Sequence, residues 1–385
     1  MNDTDYMELA LQLAKKGCGW TSPNPMVGAV IVKDGRIIGQ GYHERYGDLH
    51  AERNALASCT ESPKGAVIYV TLEPCCHQGK QPPCVDAILE AGISRVVIGS
   101  DDPNPLVAGK GIQILRSHGI SVTQHVLKDK CDQINDVFFY YIQTRLPYVA
   151  MKYAMTMDGK IATYTGASRW ITGEASREHV HKLRHRYRGI MVGIGTVLAD
   201  DPLLTCRMEG GRDPIRIVCD SRLRTPLSSQ IVRTARQIPT ILATCCDDPA
   251  LQSPYLDAGC QILVVPSAPD SGRSSKASQT FPQPDCQPPA SPIGHIHLPE
   301  LMRQLGARGI DSILLEGGAS LNWAALESGI VNKVYTYVAP KLFGGASAKS
   351  PIGGTGISLP DHAVPLKNSV ITRLGEDFLI ESEVS

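Results

Sequence analysis

The run AVIYVTL, residues 66–72, has no charged residue and is rich in β-branched and aromatic side chains. A strand of this kind is buried on both faces. The stretch CVDAILEAG (84–92) then reads as a helix stopped by Gly92, and RVVIG (95–99) as the next strand. Strand, helix, strand in that order requires a parallel pair joined by a crossover, and so helices lying on a sheet. Upstream, AVIVKDGRIIGQGYH (29–43) is two apolar runs around Asp34-Gly35, a hairpin signal, and HAERNALAS (50–58) is helical. The N-terminal stretch reads as an amphipathic helix with Met7, Leu11 and Ala14 on one face. These elements predict a three-layer α/β sandwich over residues 1 to about 125.

KDKCDQINDVFFYYIQTRLP (128–147) reads as one connecting helix ending before Pro147. A second α/β pattern follows, with strands YVAMKYAM, GIMVGIG, IRIVCD, PTILAT, QILVV, SILLEG and KVYTYVAP. Residues 267–292, rich in Ser, Pro and Gln, carry too few large apolar groups to offset the entropy of ordering and read as a flexible surface insertion. A functional lid is the alternative.

The chain has 385 residues, enough for two domains. Lys plus Arg equals Asp plus Glu, 38 to 38, so no bulk field favours nucleic acid or an anionic membrane. No stretch is apolar enough to cross a bilayer and no signal peptide is visible. The 12 cysteines do not follow the spacing of a disulfide framework, so reduced thiols in the cytoplasm are expected.

The chemistry concentrates in LEPCCHQGKQPPC (72–84), with His50-Ala51-Glu52 upstream. H-x-E followed by P-C and a later Cys is the zinc-deaminase signature. His50, Cys75 and Cys84 would hold one zinc per chain and leave the fourth position to water. Glu52 would take the water's proton and pass it to the leaving amine. Cys84 opens a helix, where the N-terminal N–H groups stabilise a thiolate. Cys76 is expected to point elsewhere. Eight residues separate Cys75 from Cys84, more than in the short form of the signature. A closed structural site made of Cys75, Cys76, His77 and Cys84 is the alternative, and it would leave the paired H-A-E unexplained.

In the second half, LLEGGASLNWAAL (314–326) is a strand, a Gly-Gly turn and a helix whose first N–H groups could cradle a phosphate. VGIGT (192–196) also places glycines where a strand ends. Either could be a plain tight turn.

Together TSPNPMVGAVIV, GYHERYGDLHAE, LEPCCHQGKQPPC and DPNPLVAGKGIQILRSHGI resemble the deaminase half of the bifunctional riboflavin-biosynthesis proteins of the RibD family. MKYAMTMDGKIA, SRWITG, GIGTVLADDPLLTCR and LLEGGASLNWAAL resemble the reductase half. The sequence departs from that family at Cys76 and Gln81, where serine and threonine are expected, and at the insertion. The resemblance implies a cytidine-deaminase-like α/β/α sandwich, residues 1–145, followed by a dihydrofolate-reductase-like α/β domain, residues 146–385. It implies hydrolytic deamination of 2,5-diamino-6-ribosylamino-4(3H)-pyrimidinone 5′-phosphate, then NADPH-dependent reduction of the ribosyl group to ribityl. The partners implied are small pyrimidine ribosyl phosphates, with a homo-oligomer also conceivable.

By resemblance, Asn24, His43, His77, Lys80, Asp102 and Asn104 contact the deaminase substrate. Amides suit the edges of a pyrimidinone, and Lys80 or His77 suits its phosphate. Asn24 and Asn104 both precede proline and could serve only to build turns. Ala154, Trp170, Thr196, Asp200, Ser221 and the segment from Gly318 would meet NADPH, and Ser168, Arg184, Leu204, Arg207 and Glu316 the reductase substrate. Arg184 and Arg207 suit the 5-phosphate, and Lys152 and Asp200 are candidates for proton handling. Arg222 and Arg224 follow a strand and could grip a 2′-phosphate. The competing functional readings are a different nucleobase, nucleoside or tRNA zinc deaminase fused to an unrelated reductase, and a zinc-stapled binding module without catalysis.

Overall fold

A computed structural model of the chain describes residues 1–268 and 294–385. The insertion expected over 267–292 therefore lies, apart from Ser267 and Ala268, outside the described residues. The chain forms two compact units, Met1–Tyr148 with Gly306–Ser312, and Val149–Leu305 with Ile313–Ser385.

The first unit runs α1 (Asp3–Lys15), β1 (Gly28–Lys33), β2 (Arg36–Tyr42), α2 (Ala51–Ala57), β3 (Val67–Leu72), α3 (Cys84–Glu90), β4 (Arg95–Ser100), α4 (Lys110–Ser117), β5 (Ser121–Thr123), α5 (Lys128–Ile134) and α6 (Asp136–Thr144). Its sheet has the order β2-β1-β3-β4-β5. The hairpin β1–β2 turns at Asp34-Gly35, with Lys33 opposite Arg36, and β3, β4 and β5 are parallel. The period of two divides the strand side chains between two cores. Ala29, Ile31, Ile68, Val70, Val96 and Ile98 face Ala51 and Ala55 of α2, Val85 and Ile88 of α3 and Leu115 of α4. Val30, Val32, Tyr69 and Val97 face Tyr6, Met7, Ala10 and Leu11 of α1. Both faces of the sheet are thus covered, which makes the unit an α/β/α sandwich. Gly41 lets α2 approach closely, since a Cβ there would lie 2.3 Å from the Ala55 nitrogen. That closeness sets the depth of His50 and Glu52.

The single helix expected over 128–147 is two helices, broken at Asn135. The buried Asn135 amide accepts from the Met26 N–H at 2.8 Å and donates to the Met26 carbonyl at 3.0 Å. It pairs with that backbone as a strand neighbour would.

The second unit runs β6 (Tyr148–Thr156), α7 (Glu174–Arg186), β7 (Gly189–Gly193), α8 (Ile194–Asp200), β8 (Ile215–Cys219), α9 (Gln230–Arg233), β9 (Thr240–Thr244), α10 (Pro249–Asp257), β10 (Gln261–Val264), α11 (Leu298–Ala307), β11 (Ser312–Leu315), α12 (Ala319–Glu327), β12 (Val331–Ala339), β13 (Leu366–Leu374) and β14 (Asp377–Val384). All seven strands expected from the sequence are present in one nine-stranded sheet, of order β10-β9-β8-β7-β11-β6-β12-β14-β13. The strands from β10 to β11 are parallel, β6 is parallel to β12, and β14 and β13 close the edge as an antiparallel hairpin. That hairpin was not expected. Arg216 is fully buried and bonds Thr240, Thr234 and the carbonyls of Ile231, Ile238 and Leu203, which ties the loop after α8 to the sheet.

Candidate active sites

His50 is the N-cap of α2, Cys75 lies three residues beyond the end of β3, and Cys84 is the first residue of α3. Chain order in a parallel sheet brings these three element ends together. The His50 Nδ1 lies 3.4 Å from both the Cys75 and the Cys84 sulfur. One donor atom from each residue falls within 4.8 Å of the others, and no other His, Cys, Asp or Glu group among the described residues forms such a set. The Cys84 N–H donates to the Cys75 sulfur at 3.4 Å, as expected for a helix N-terminus.

The Cys84 thiol donating to its sulfur, with help from His50, holds Cys75 down at about 4 against the effect of burial. The same bond, together with burial, pushes Cys84 well above the ordinary thiol range. A dication bound to both sulfurs would displace the thiol proton. One imidazole nitrogen and two sulfurs, half to fully buried, form a donor set that fits zinc and leaves a fourth position open. Cys76 is outside this set, with its thiol directed at the Leu106 carbonyl at 3.7 Å.

Glu52 sits in the first turn of α2, only 3% exposed, and burial followed by the charge of Cys75 raises its carboxyl. Around it, His43 is buried with its ring centroid 5.3 Å from that of His50. The His43 Nδ1–H donates to the Leu49 carbonyl at 3.0 Å, so its Nε2 accepts from the Asn24 amide at 3.2 Å. Both ring nitrogens are thus in use, and the amide orientation of Asn24 is set.

Asp102 is buried, which raises its carboxyl to about 7 despite the bond it accepts from the Asn104 N–H at 2.8 Å. The Asn104 side chain in turn accepts from the Leu106 N–H, a turn-building bond. Sequence reasoning passed over Glu73, which holds this loop. Its buried carboxylate accepts from the N–H groups of Gly109 (3.0 Å) and Ile112 (3.3 Å) at the start of α4. In the loop between Cys75 and Cys84, His77 has a buried Nδ1 without a partner. Lys80 is exposed, and Gln81 donates to the Gly47 carbonyl at 2.9 Å.

In the second unit, Glu316 at the end of β11 receives Arg184 of α7 in a two-pronged pair, 2.7 and 2.9 Å. Lys152 of β6 stands 3.9 Å from the same carboxylate. Burial alone would raise Glu316, but Arg184 and then Lys152 hold it at about 2. Burial lowers Lys152, and Glu316 only partly restores it. Arg184 spends a further donor on the Thr205 carbonyl at 3.0 Å. Its guanidinium, read from the sequence as a phosphate ligand, is therefore largely committed inside the protein. Arg207 is exposed, with its N–H on His181, and Leu204 is buried on the same loop.

Thr196 donates to the Gly317 carbonyl at 2.8 Å, Gly318 is the N-cap of α12, and Ser221 follows β8. These groups gather at the carboxyl ends of the adjacent parallel strands β8, β7 and β11, where open α/β sheets bind ligands. Ala154 lies in β6, two residues beyond Lys152. Trp170 is 62% exposed, with the Arg177 guanidinium 4.8 Å from its ring and its carbonyl held by Lys341. Ser168 is half-buried, and Asp200 is exposed with its carbonyl held by Arg169.

Residues 147–380 match the model of the RibD C-terminal domain, and residues 1–100 the cytidine and deoxycytidylate deaminase zinc-binding region. The riboflavin biosynthesis protein RibD of Actinobacillus pleuropneumoniae is 52% identical over 99% of this chain and 95% of its own. The RibD of Escherichia coli K12 is 39% identical over 99% of both chains. This chain belongs to the RibD family.

Among solved structures, Acinetobacter baumannii RibD (form 1) is similar with TM-score 0.83 and 34% identity, covering 100% of this chain and 99% of the other. A Thermotoga maritima structure described as a diaminohydroxyphosphoribosylaminopyrimidine deaminase / 5-amino-6-(5-phosphoribosylamino)uracil reductase has TM-score 0.82 and 35% identity, with coverage of 100% and 99%. The chain is thus a bifunctional deaminase–reductase of riboflavin biosynthesis, with a zinc-binding deaminase region fused to a reductase domain, acting on small molecules. No helix among the described residues is long and apolar enough to cross a membrane.

Proposed function

We propose that residues 1–145 deaminate 2,5-diamino-6-ribosylamino-4(3H)-pyrimidinone 5′-phosphate, and that residues 146–385 reduce the ribosyl group of the product with NADPH. The observation that carries the first half is the convergence of His50, Cys75 and Cys84 beside the buried Glu52. These three residues would hold one zinc, which when bound lowers the pKa of a water at the open position. Glu52 takes the proton that this water loses on attacking the ring carbon and delivers it to the departing amino group, so ammonia leaves and Glu52 is regenerated. Asn24, held by His43, offers its amide to the pyrimidinone edge, and Asp102 and Asn104 line the loop that Glu73 braces. Lys80 and His77 supply the charge and the free ring nitrogen for the phosphate end.

In the reductase, NADPH when bound supplies the hydride. Gly318 and Thr196 at the strand ends, with Ala154, Trp170, Asp200 and Ser221, form its bed. Lys152 holds the proton destined for the sugar oxygen, since it is buried and faces Glu316. Asp200, the exposed last residue of α8, is the second candidate for that role. Arg207, Ser168 and Leu204 would border the sugar phosphate, while Arg184 and Glu316 fix the geometry of Lys152. The spacing of the cysteines, which follows no disulfide framework, supports a cytoplasmic setting. A homo-oligomer is supported by the exposed edge strand β13, where Ile371 is 68% exposed.

The test is Glu52→Gln. Ammonia release should fall by roughly 10⁴-fold, the upper end of general acid–base assistance. Zinc content and reduction of supplied deaminated intermediate should be kept. Substantial ammonia release by this variant would remove Glu52 from the mechanism.

A further inference from the structure

Lys80 lies in the loop between the two cysteine ligands, and its ammonium has no carboxylate partner among the described residues. It rests instead on the ring of Tyr46, 4.0 Å from the centroid. Tyr46 is itself fixed. Its N–H donates to the Trp20 carbonyl at 3.1 Å, and the neighbouring Arg45 stacks on the Trp20 ring at 4.7 Å. Gln81 then ties the Lys80 loop to the Tyr46 loop through the Gly47 carbonyl. Gly47, at φ +96°, has the Lys80 side chain 3.9 Å from where its Cβ would stand. An aromatic face holds a cation without neutralising it and takes up only part of its N–H donors, whereas a carboxylate would neutralise it.

We propose that Tyr46 is a positioning residue for substrate recognition. Its ring holds the Lys80 ammonium, on the loop between Cys75 and Cys84, with N–H donors left over for the phosphate of the substrate. Gln81 is the second staple of the same arrangement. The inference rests on the assignment of Lys80 to the phosphate made above. It adds a determinant that neither the zinc signature nor the ligand set contains.

The experiment compares KM and kcat for ammonia release by the zinc-loaded full chain, using the diaminopyrimidinone ribosyl phosphate and its dephosphorylated form. Tyr46→Leu should raise KM for the phosphate by about two- to fivefold, as expected for an exposed cation–π contact. It should leave kcat and the KM of the dephosphorylated form unchanged. Tyr46→Phe keeps the ring and should keep the discrimination. Lys80→Met should abolish it. If Lys80→Met leaves the phosphate preference intact, the assignment of Lys80 falls and the inference falls with it. If Lys80→Met abolishes the preference while Tyr46→Leu preserves it, or Tyr46→Phe fails as badly as Tyr46→Leu, the role of Tyr46 alone is refuted. Zinc content serves as the check on folding in each variant.

Discussion

Glu316→Gln tests the buried charge cluster of the reductase unit. Glu316 accepts both prongs of Arg184 and faces Lys152, with side-chain exposures of 10% for Glu316, 14% for Arg184 and 15% for Lys152. The substitution keeps the shape and removes the charge. Glu316 is held at about 2 against an ordinary 4.5, a gap that linkage converts to about 3 kcal/mol of stability at neutral pH. Removing one partner of a buried pair costs about 3–5 kcal/mol, because the other charge is left stranded. Lys152, already lowered by burial, can shed its proton and relieve part of that strain, so the lower figure is expected. The folded-state carboxyl is depressed, so its contribution is complete above about pH 4.5 and is lost as pH falls toward 2. Hydrogen exchange of peptides from α7 and β11 in graded urea reports this unit by itself. The variant should be less protected by about 3 kcal/mol at pH 7, with the difference shrinking between pH 4.5 and 2. A loss below about 1 kcal/mol at pH 7, or one that does not change with pH, would refute the reasoning.

Metal analysis should find about one zinc per chain, lost in His50→Ala, Cys75→Ser and Cys84→Ser and kept in Cys76→Ser, whose thiol faces Leu106; an empty site in Cys76→Ser would overturn the ligand set. Glu73→Leu leaves two N–H groups of the α4 turn without their acceptor and should cost about 1–3 kcal/mol. Hydrogen exchange of α4 peptides in graded urea measures that cost, and a rise in KM for deamination should accompany it because the Asp102–Asn104 loop loses its brace. The reductase should prefer NADPH to NADH, and Arg222→Ala with Arg224→Ala should narrow the ratio of kcat/KM between them; an unchanged ratio would put the 2′-phosphate elsewhere.

The strands were legible because their side chains alternate or run wholly apolar, as in β3 and β4. The β13–β14 hairpin was not, because LKNSVITRL mixes polar and apolar residues with no buried face to order them. The break at Asn135 depends on the Met26 backbone, 109 residues away, and helical periodicity carries no trace of such a contact. At the site, His50, Cys75, Cys84 and Glu52 were readable because catalysis fixes both their types and their spacing. The family resemblance placed Arg184 at the reductase substrate and its guanidinium suits a phosphate, but nothing in the sequence signals its pairing with Glu316. Its partner Glu316 lies 132 residues further on, and only the fold brings them together. The same holds for Lys80 on Tyr46 and Gln81 on Gly47, contacts between loops that tolerate many sequences.

The central claim is that one chain performs a hydrolysis and then a reduction on the same pyrimidine ribosyl phosphate. Mass analysis of the diaminopyrimidinone phosphate after incubation with zinc-loaded protein, with and without NADPH, tests it most directly. Without NADPH the product should have one NH replaced by one O, with ammonia released. With NADPH that product should in addition gain one hydride and one proton. Reduction without loss of ammonia, or an unchanged substrate in both arms, would contradict the account.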